Sequence, residues 1–537
     1  MEKIKEAQTI LKELGLPESQ QNKVSALTFL ALCGIAPNDN WNQAKRQSLT
    51  LSKGIMEFVN NVYGQDYKQN TRESFRKSAI NPFLNFQIID LNPDDSNLSP
   101  QSSNTHYAIK ELVIETLKHY GTNNWSNALN QFKKLQFKEN IKETALLKQV
   151  VINNYKSVEN SDIELGRFNV FIGANGSGKS NLLEAIAMIG ASKGNDLDLD
   201  GLMNRGVRIA NPRLTLSSFL GKQTKKEIKI TTVFEDNGES IPIQSSFESS
   251  NINDLYAKWV DKEIEANSPE IILDYLNEIT NEKISLSKDD LLNEINKKLR
   301  EKGIHEKNKY TKILSDFSIF NLSTQTLRGL DARSRKVPLG INGEGLDVLI
   351  SNFNNYENAK LLKCKIFFNW LDEIIFDKQD ELKRSGYKLG KSTSTLYFHD
   401  KFMQKQNNLF SAENANEGIL HVIFYLALFI SNKTPDLFAI DNIETALNPN
   451  LCRSLIKELA NLSKERGKQV LITTHNPAIL DGLNLYDDSQ RLFEVYRTDE
   501  GMTKVRRIQF KKGTEQKRHK LSEMWMEGLL GAIPQDF

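Results

Sequence analysis

Cysteine is scarce in this chain, with three residues among 537: Cys33, Cys364 and Cys452. They lie far apart and without paired spacing, which excludes a disulfide framework and a cysteine-based zinc cluster. Long apolar runs are also missing. The longest, Ile419 to Ile430, has about a dozen residues where a membrane span needs roughly 20. No secretory signal is visible at the start. We therefore expect a soluble cytoplasmic protein without a membrane segment.

An excess of charge of one sign is absent as well. The chain has 70 Lys and Arg residues and 68 Asp and Glu residues, which gives a formal net charge of +2. Any basic binding surface must therefore be local. The hydrophobic share of 39% excludes a wholly disordered chain. At roughly 100 to 200 residues per domain, the length predicts two to four units.

Residues 1–142 have the pattern of a small, mainly α domain. Apolar helices are predicted over Val24 to Cys33 and Ile55 to Tyr63, and a third helix opens near Asn70 with Thr71 as its N-cap. That third helix carries Arg72, Arg76 and Lys77. Two strand-like runs near residues 87–91 and 106–109 flank a polar loop and would form a wing. The pattern favours a winged helix-turn-helix.

This region resembles the N-terminal domain of BsuBI/PstI-type restriction endonucleases. The resemblance rests on the runs at residues 26–35, 70–76 and 92–95. It implies contact with double-stranded DNA through Arg72, Arg76 and Lys77. The alternative, a helical protein-interaction domain with surface arginines, stays open, because two or three basic residues on a helix are common.

From residue 143 to 537 strands and helices alternate, which predicts an α/β domain. Leu437 to Ile440 and Gln469 to Thr473 are short apolar runs typical of strands buried in a parallel sheet. The stretch 251–316 is rich in Glu, Lys, Leu and Ile at helical spacing. We expect it to be an inserted helical arm.

The segment Gly173 to Ser180 fits the phosphate-binding pattern G-x-x-x-x-G-K-[ST] and lies between a predicted strand and a predicted helix. Glycines let backbone N–H groups approach phosphate oxygens, Lys179 supplies a positive charge, and Ser180 offers a hydroxyl to Mg²⁺. The predicted ATP-binding residues here are Asn175, Gly176, Ser177, Gly178, Lys179, Ser180 and Asn181.

Three further features lie downstream. Asp441 ends an apolar strand, where a carboxylate can hold Mg²⁺ together with Ser180. His475 ends the next strand, where an imidazole can sense the γ-phosphate. Asn416, Glu417 and Gly418 come directly before the apolar run Ile419 to Ile430, which is predicted to be a helix. The N-terminus of a helix is an anion-binding site.

Together, the four features resemble the ABC-type ATPase heads of the SMC and RecF group, and most closely the OLD-like ATPases of bacterial anti-phage systems. The resemblance implies a P-loop ABC-type head that sandwiches ATP between two copies. It also makes Asn416, Glu417 and Gly418 the signature, Thr445 to Asn448 the loop that crosses the dimer, and His475 the switch histidine. The predicted cofactors are ATP and Mg²⁺.

The residue after Asp441 departs from that pattern. Asn442 stands where a catalytic glutamate is usual, and an amide cannot accept a proton as a carboxylate does. Glu444 is a candidate replacement, although an extended backbone would turn Asn442 away from it. The candidate catalytic residues are thus Glu444, Asn442 and His475, and slow hydrolysis is expected.

The resulting hypothesis is an ATP-binding, slowly hydrolysing ATPase that forms a homodimer or higher oligomer. The resemblances suggest a sensor or regulator in anti-phage defence that acts with a separate protein effector, such as a nuclease or toxin. Two alternatives remain. One is a DNA-repair or chromosome-maintenance ATPase, and the other is a nucleotide-locked scaffold without turnover.

Overall fold

A computed structural model describes most of the chain. The described residues are 2–16, 20–86, 88–93, 104–140, 145–254, 256–263, 304–331, 338–377, 379–388, 390–509 and 520–530. The α-helices are α1 (Glu2–Glu13), α2 (Lys23–Cys33), α3 (Glu57–Tyr63), α4 (Arg72–Phe75), α5 (Asn81–Asn85), α6 (Glu111–Leu117), α7 (Trp125–Asn140), α8 (Lys179–Lys193), α9 (Leu199–Asn204), α10 (Pro212–Thr215), α11 (Ile304–Ser315), α12 (Thr324–Leu327), α13 (Leu346–Ser351), α14 (Asn355–Leu361), α15 (Glu381–Arg384), α16 (Glu417–Ile430), α17 (Pro449–Arg466) and α18 (Leu521–Met526).

The strands are β1 (Ser48–Thr50), β2 (Ile89–Leu91), β3 (His106–Ile109), β4 (Leu146–Tyr155), β5 (Val158–Glu164), β6 (Phe168–Ile172), β7 (Glu227–Asp236), β8 (Glu239–Ser249), β9 (Trp259–Asp261), β10 (Ile319–Phe320), β11 (Leu371–Phe376), β12 (Leu396–Asp400), β13 (Leu409–Ser411), β14 (Leu437–Ile440), β15 (Gln469–Thr473), β16 (Gln490–Arg497) and β17 (Thr503–Ile508). The chain divides into two compact units. The first comprises Met1–Ile141 with Phe353–Leu362, and the second comprises Lys142–Asn352 with Lys363–Phe537.

The first unit is built around the apolar helix α2, whose residues from Ser25 to Cys33 are all buried. A π-helical segment, Arg76–Ile80, joins α4 to α5. Pro82 lacks the N–H that would bond to the Ser78 carbonyl in an α-helix, which accounts for the widened turn. The Ser25 hydroxyl, 2.7 Å away, donates to that carbonyl instead. The proline thus creates an acceptor that fixes this helix against α2.

The three strands of the first unit form an antiparallel sheet in the order β1-β3-β2. β2 and β3 pair as the predicted wing, and part of their connection lies outside the described residues. Thr71 occupies the N-cap position of α4 as predicted, but the predicted cap hydrogen bond is absent, because its hydroxyl accepts no backbone N–H of the helix. Its hydroxyl donates to the Lys68 carbonyl, in a single 3₁₀ turn (Gln69–Thr71) that precedes α4.

The second unit contains a six-stranded sheet in the order β10-β14-β15-β6-β16-β17. Neighbours from β10 to β16 are parallel, and β17 is an antiparallel edge strand. The two apolar runs predicted as buried parallel strands are β14 and β15, so that prediction is confirmed. A five-stranded sheet (β5-β4-β7-β8-β9) and a three-stranded sheet (β11-β12-β13) are both antiparallel. The α/β fold class is therefore confirmed.

Two helices position the site. α8 follows β6 directly and is buried along most of its length, in one apolar core with residues of β4, β6 and β7. α16 is the predicted apolar helix, and every residue from Gly418 to Ile430 is buried. Among the described residues, no helix is long and apolar enough to cross a membrane.

The insertion predicted at 251–316 is described only at its two ends. Its start contains strand β9 rather than helix, and its end is the helix α11. Residues 264–303, which carry most of the predicted arm, lie outside the described residues.

Candidate nucleotide-binding site

The glycine-rich loop between β6 and α8 is shaped by glycine conformations that other residues rarely adopt. Gly176 and Gly178 have φ angles of 77° and 105°. A Cβ atom at Gly178 would also collide with the Thr503 hydroxyl, which donates to the Ser177 carbonyl at 2.8 Å. The loop is therefore braced from β17, and only glycine fits at position 178.

Lys179 is buried at the first position of α8. Its ammonium donates to the carbonyl oxygens of Gly173 at 2.8 Å and Ala174 at 3.1 Å. Burial lowers its pKa to about 8, against the opposing influence of the Asp441 and Glu444 carboxylates. The ammonium is thus held at the loop that would surround phosphate oxygens.

Ser180 and Asp441 lie together because β6, β15 and β14 are parallel neighbours whose carboxyl ends share one edge. The Ser180 hydroxyl donates to Asp441 Oδ2 at 3.0 Å. The Thr473 hydroxyl, at the end of β15, donates to Asp441 Oδ1. Hydroxyl and carboxylate oxygens are the hard ligands that Mg²⁺ prefers, and it commonly keeps several waters. The pair therefore fits a magnesium ion that also contacts nucleotide phosphates.

The acid loop, which we define as Asp441–Leu447, is a turn and not an extended segment. Asn442 has a left-handed backbone with φ of 56°, which corrects the expectation of an extended chain between Asn442 and Glu444. Glu444 Oε1 accepts a hydrogen bond from the His475 backbone N–H at 2.8 Å. Its other oxygen, Oε2, is buried and has no hydrogen-bond partner among the described residues.

The ring of His475 lies in the same region. Partial burial lowers its pKa, and the nearby Lys179 ammonium adds to that effect. The imidazole is therefore largely neutral at pH 7 and can act as a hydrogen-bond donor or acceptor. Lys179, Ser180, Asp441, Glu444 and His475 are thus gathered at one end of the parallel sheet.

The predicted signature residues open α16. Asn416 is the N-cap, and its side-chain oxygen accepts from the Gly418 N–H at 2.8 Å. Asn416 and Glu417 are exposed, whereas Gly418 is buried. A Cβ atom added at Gly418 would lie 3.3 Å from the carbonyl oxygen of Ala446, so the two backbones are in close contact. The signature therefore packs against the acid loop of its own chain, and its described hydrogen bonds go to neither Lys179 nor Ser180.

The three basic residues predicted to contact DNA lie on the helical stretch formed by α4 and the π-helical segment. Lys77 is exposed, and Arg76 pairs with Glu73 at 3.1 Å. Arg72 is half-buried, and its Nε has no partner among the described residues. Of the three, Lys77 presents its charge most freely to solvent.

A cleft of about 470 Å³ lies beside Ser180 and Asp441 and contains residues that sequence reasoning missed. Glu184 is buried there and is paired with Lys156 and Arg208. Asn321, directly after β10, lines the same cleft. Glu184 lies four residues after Ser180 on α8, so helical spacing could have placed it on the same face. No local signal marks Arg208 or Asn321.

Comparison with protein families identifies the ATPase region. The family described as "AAA domain, putative AbiEii toxin, Type IV TA system" matches residues 168–481, more than half of the chain. The chain belongs to this family. The BsuBI/PstI restriction endonuclease HTH domain matches residues 1–139, so the predicted fusion of an HTH domain with an ATPase-family domain is confirmed.

Individual proteins of known name are similar to parts of this chain. The type II restriction enzyme BsuBI of Bacillus subtilis is 37% identical over 129 residues, 24% of this chain and 40% of its own. The DNA replication and repair protein RecF of Glaesserella parasuis serovar 5 is 34% identical over 110 residues, 20% of this chain and 29% of its own. The chain thus spans less than half the length of these curated relatives. An SMC head domain from Thermotoga maritima covers 68% of this chain and 99% of its own, with 12% identity and a TM-score of 0.36.

Proposed function

We propose that this chain is an ATP-binding, slowly hydrolysing ATPase that dimerises around ATP and regulates a separate effector in anti-phage defence. The main observation in favour of ATP binding is the hydrogen bond from the Ser180 hydroxyl to Asp441 Oδ2, 3.0 Å long, beside the glycine-rich loop. Two segments 261 residues apart in sequence meet there with the ligands that Mg²⁺ and phosphates require. ATP would be held by Asn175 to Asn181, and Mg²⁺ by Ser180 and Asp441.

Two features support dimerisation around the nucleotide. Asn416 and Glu417 are exposed at the start of α16, where backbone N–H groups and the helix dipole favour a phosphate. The same residues bind no phosphate-loop residue of their own chain in the described hydrogen bonds. A second copy would bring them to the ATP, and the absence of a carboxylate at Asn442 would keep such a dimer closed longer.

The first unit supports a role in recognising double-stranded DNA or a partner protein. Its HTH family occurs in restriction endonucleases, and the helix with Arg72, Arg76 and Lys77 leaves Lys77 exposed. The ATPase family is named for a toxin system, which agrees with a defence role.

Within the described part of the chain, no group of three or more His, Cys, Asp or Glu residues is arranged to hold a metal ion. We propose that a nuclease or toxin effector is a separate protein. The three cysteines are free and buried, which suits the reducing cytoplasm.

Two other functions have an observation in their favour. The similarity to RecF favours an ATPase that acts directly on DNA in repair or chromosome maintenance. Asn442 favours a scaffold that binds ATP and never hydrolyses it. The effect of DNA on turnover distinguishes the first of these, and turnover itself distinguishes the second.

The test is ATP turnover by the purified chain, with and without duplex DNA, while light scattering reports its mass. Wild type should hydrolyse ATP slowly and dimerise with MgATP, and Lys179→Ala should lose both properties. Lys457→Ala, an exposed lysine on α17, is the matched control and should behave as wild type. ATP-dependent dimers without turnover above the Lys179→Ala background would replace the ATPase with the scaffold. Strong stimulation by DNA ends would favour the repair function.

A further inference from the structure

The conformation of the acid loop is imposed by one residue of the neighbouring strand. The Thr473 hydroxyl donates to Asp441 Oδ1 and accepts from the Asn442 N–H at 3.0 Å. The Thr473 carbonyl accepts from the Ile443 N–H at 3.3 Å. Thr473 is fully buried, so it holds three successive residues of the loop in place.

These hydrogen bonds place Asn442 in the left-handed region. Asparagine tolerates that region better than glutamate, whose longer side chain is disfavoured there. The amide at position 442 therefore agrees with the local backbone. The chain then turns, with the Thr445 N–H bonded to the Asn442 carbonyl at 3.2 Å, and this turn carries Glu444 to the end of β15.

Glu444 arrives beside the phosphate-binding lysine. Its carboxylate is near enough to Lys179 and His475 to act on the pKa of both. Oε1 is fixed by the His475 N–H, whereas Oε2 is buried and has no donor among the described residues. A buried carboxylate oxygen without a partner costs free energy, and native proteins usually satisfy it with an ordered water.

We propose that Glu444 is the general base of ATP hydrolysis and replaces the carboxylate missing at Asn442. Oε2 takes a proton from a water molecule while that water's oxygen bonds to the γ-phosphorus. The bond between this phosphorus and the β,γ-bridging oxygen breaks, and its electron pair leaves with ADP. Glu444 then releases the proton to solvent, so the products are ADP and inorganic phosphate. The His475 N–H fixes the carboxylate through Oε1. This assignment rests on the proposed function.

The first test is Glu444→Gln in the full chain. The glutamine oxygen can still accept from the His475 N–H, but the side chain cannot take a proton. We expect turnover to fall by about 100-fold or more, as for loss of a general base, while the MgATP-dependent dimer persists. Glu458→Gln on α17, whose carboxylate pairs with Lys363, is the matched control and should leave turnover unchanged.

The second test is Glu444→Ala, assayed with and without sodium formate. A small carboxylate can enter the space left by the side chain and take the proton, so formate should restore part of the turnover. It should not restore Lys179→Ala. A residue that only positions the loop would not respond to formate.

The outcomes separate this assignment from the ATPase itself. If wild type hydrolyses ATP and Glu444→Gln stays within threefold of it, the general base lies elsewhere and the ATPase stands. If Glu444→Gln loses the ATP-dependent dimer and formate restores no turnover to Glu444→Ala, Glu444 only positions the His475 segment. If wild type shows no turnover above Lys179→Ala, the proposed hydrolysis is refuted and this assignment falls with it.

Discussion

Raising the pH from 7 to 9 should weaken binding of MgATP to this chain about tenfold. Lys179, which we propose to contact the phosphates, has its pKa lowered by burial to about 8 in the free protein. With that pKa about nine tenths of the molecules carry the ammonium at pH 7, and about one tenth carry it at pH 9. The charged form is the one that attracts phosphate, so affinity is high below pH 8 and is lost above it.

The size of the effect follows from population arithmetic. Apparent affinity falls in proportion to the competent fraction, and a tenfold change corresponds to about 1.4 kcal/mol. Two neighbouring groups, His475 and Cys452, do not account for a change in this interval. The pKa of His475 is lowered, and burial raises the pKa of Cys452 to about 12. The change in MgATP affinity between pH 7 and 9 should therefore come from deprotonation of Lys179.

The assay is equilibrium dialysis of a labelled, non-hydrolysable ATP analogue with Mg²⁺, at fixed ionic strength so that screening stays constant. Lys179→Arg is the control, because a guanidinium stays charged over the whole range. Its affinity should be lower at pH 7 and should vary less than twofold up to pH 9. A flat profile for wild type, or the same slope in Lys179→Arg, would show that the Lys179 ammonium does not set the pH dependence of binding.

Three further predictions concern single contacts. Gly178→Ala should abolish ATP binding because its Cβ collides with a buried hydroxyl, whereas Gly176→Ala, with open space around its Cβ, should bind within about tenfold of wild type, as equilibrium dialysis would show. Ser25→Ala should destabilise the first unit by about 1 kcal/mol, because the Ser78 carbonyl loses its donor; urea unfolding followed by hydrogen exchange measures this, and an unchanged protection pattern would contradict it. Burial lowers the pKa of His421 to about 4, so the unfolded chain binds the proton first and stability should fall as pH drops from about 6.5 towards 4. Thermal unfolding at pH 7 and 5 should show a larger loss for wild type than for His421→Leu, and equal losses would exclude this histidine as the cause.

The parts of the site predicted from sequence are those set by local patterns. The glycine-rich loop, its lysine and the strands β14 and β15 combine short apolar runs with fixed residue types, so each could be placed without knowing its neighbours. α16 is predictable for the same reason, because the run from Ile419 to Ile430 is apolar except for His421 and such a run is expected to be buried. The winged arrangement followed from strand patterns and from its family resemblance.

The parts that sequence did not predict depend on contacts between distant segments. Asn442 is left-handed because Thr473, 31 residues later, holds its N–H. Thr71 makes no cap hydrogen bond because the helix begins from a 3₁₀ turn, and the Thr71 hydroxyl donates to the Lys68 carbonyl of that turn. Phe353–Leu362 belongs to the first unit although it lies more than 200 residues away in sequence from the rest of that unit. Propensity and spacing carry no information on such long-range partners.

The strand that leads into the phosphate loop, β6, has both of its neighbours, β15 and β16, from the last quarter of the chain. The brace on the loop, Thr503, comes later still. During synthesis the loop, which ends at Ser180, is made long before Thr503, and it cannot take its final shape until the ribosome has passed residue 503. A growing or prematurely ended polypeptide would therefore hold the binding motif without the capacity to bind. Nucleotide capture, and any assembly that depends on it, would be reserved for chains translated past residue 503.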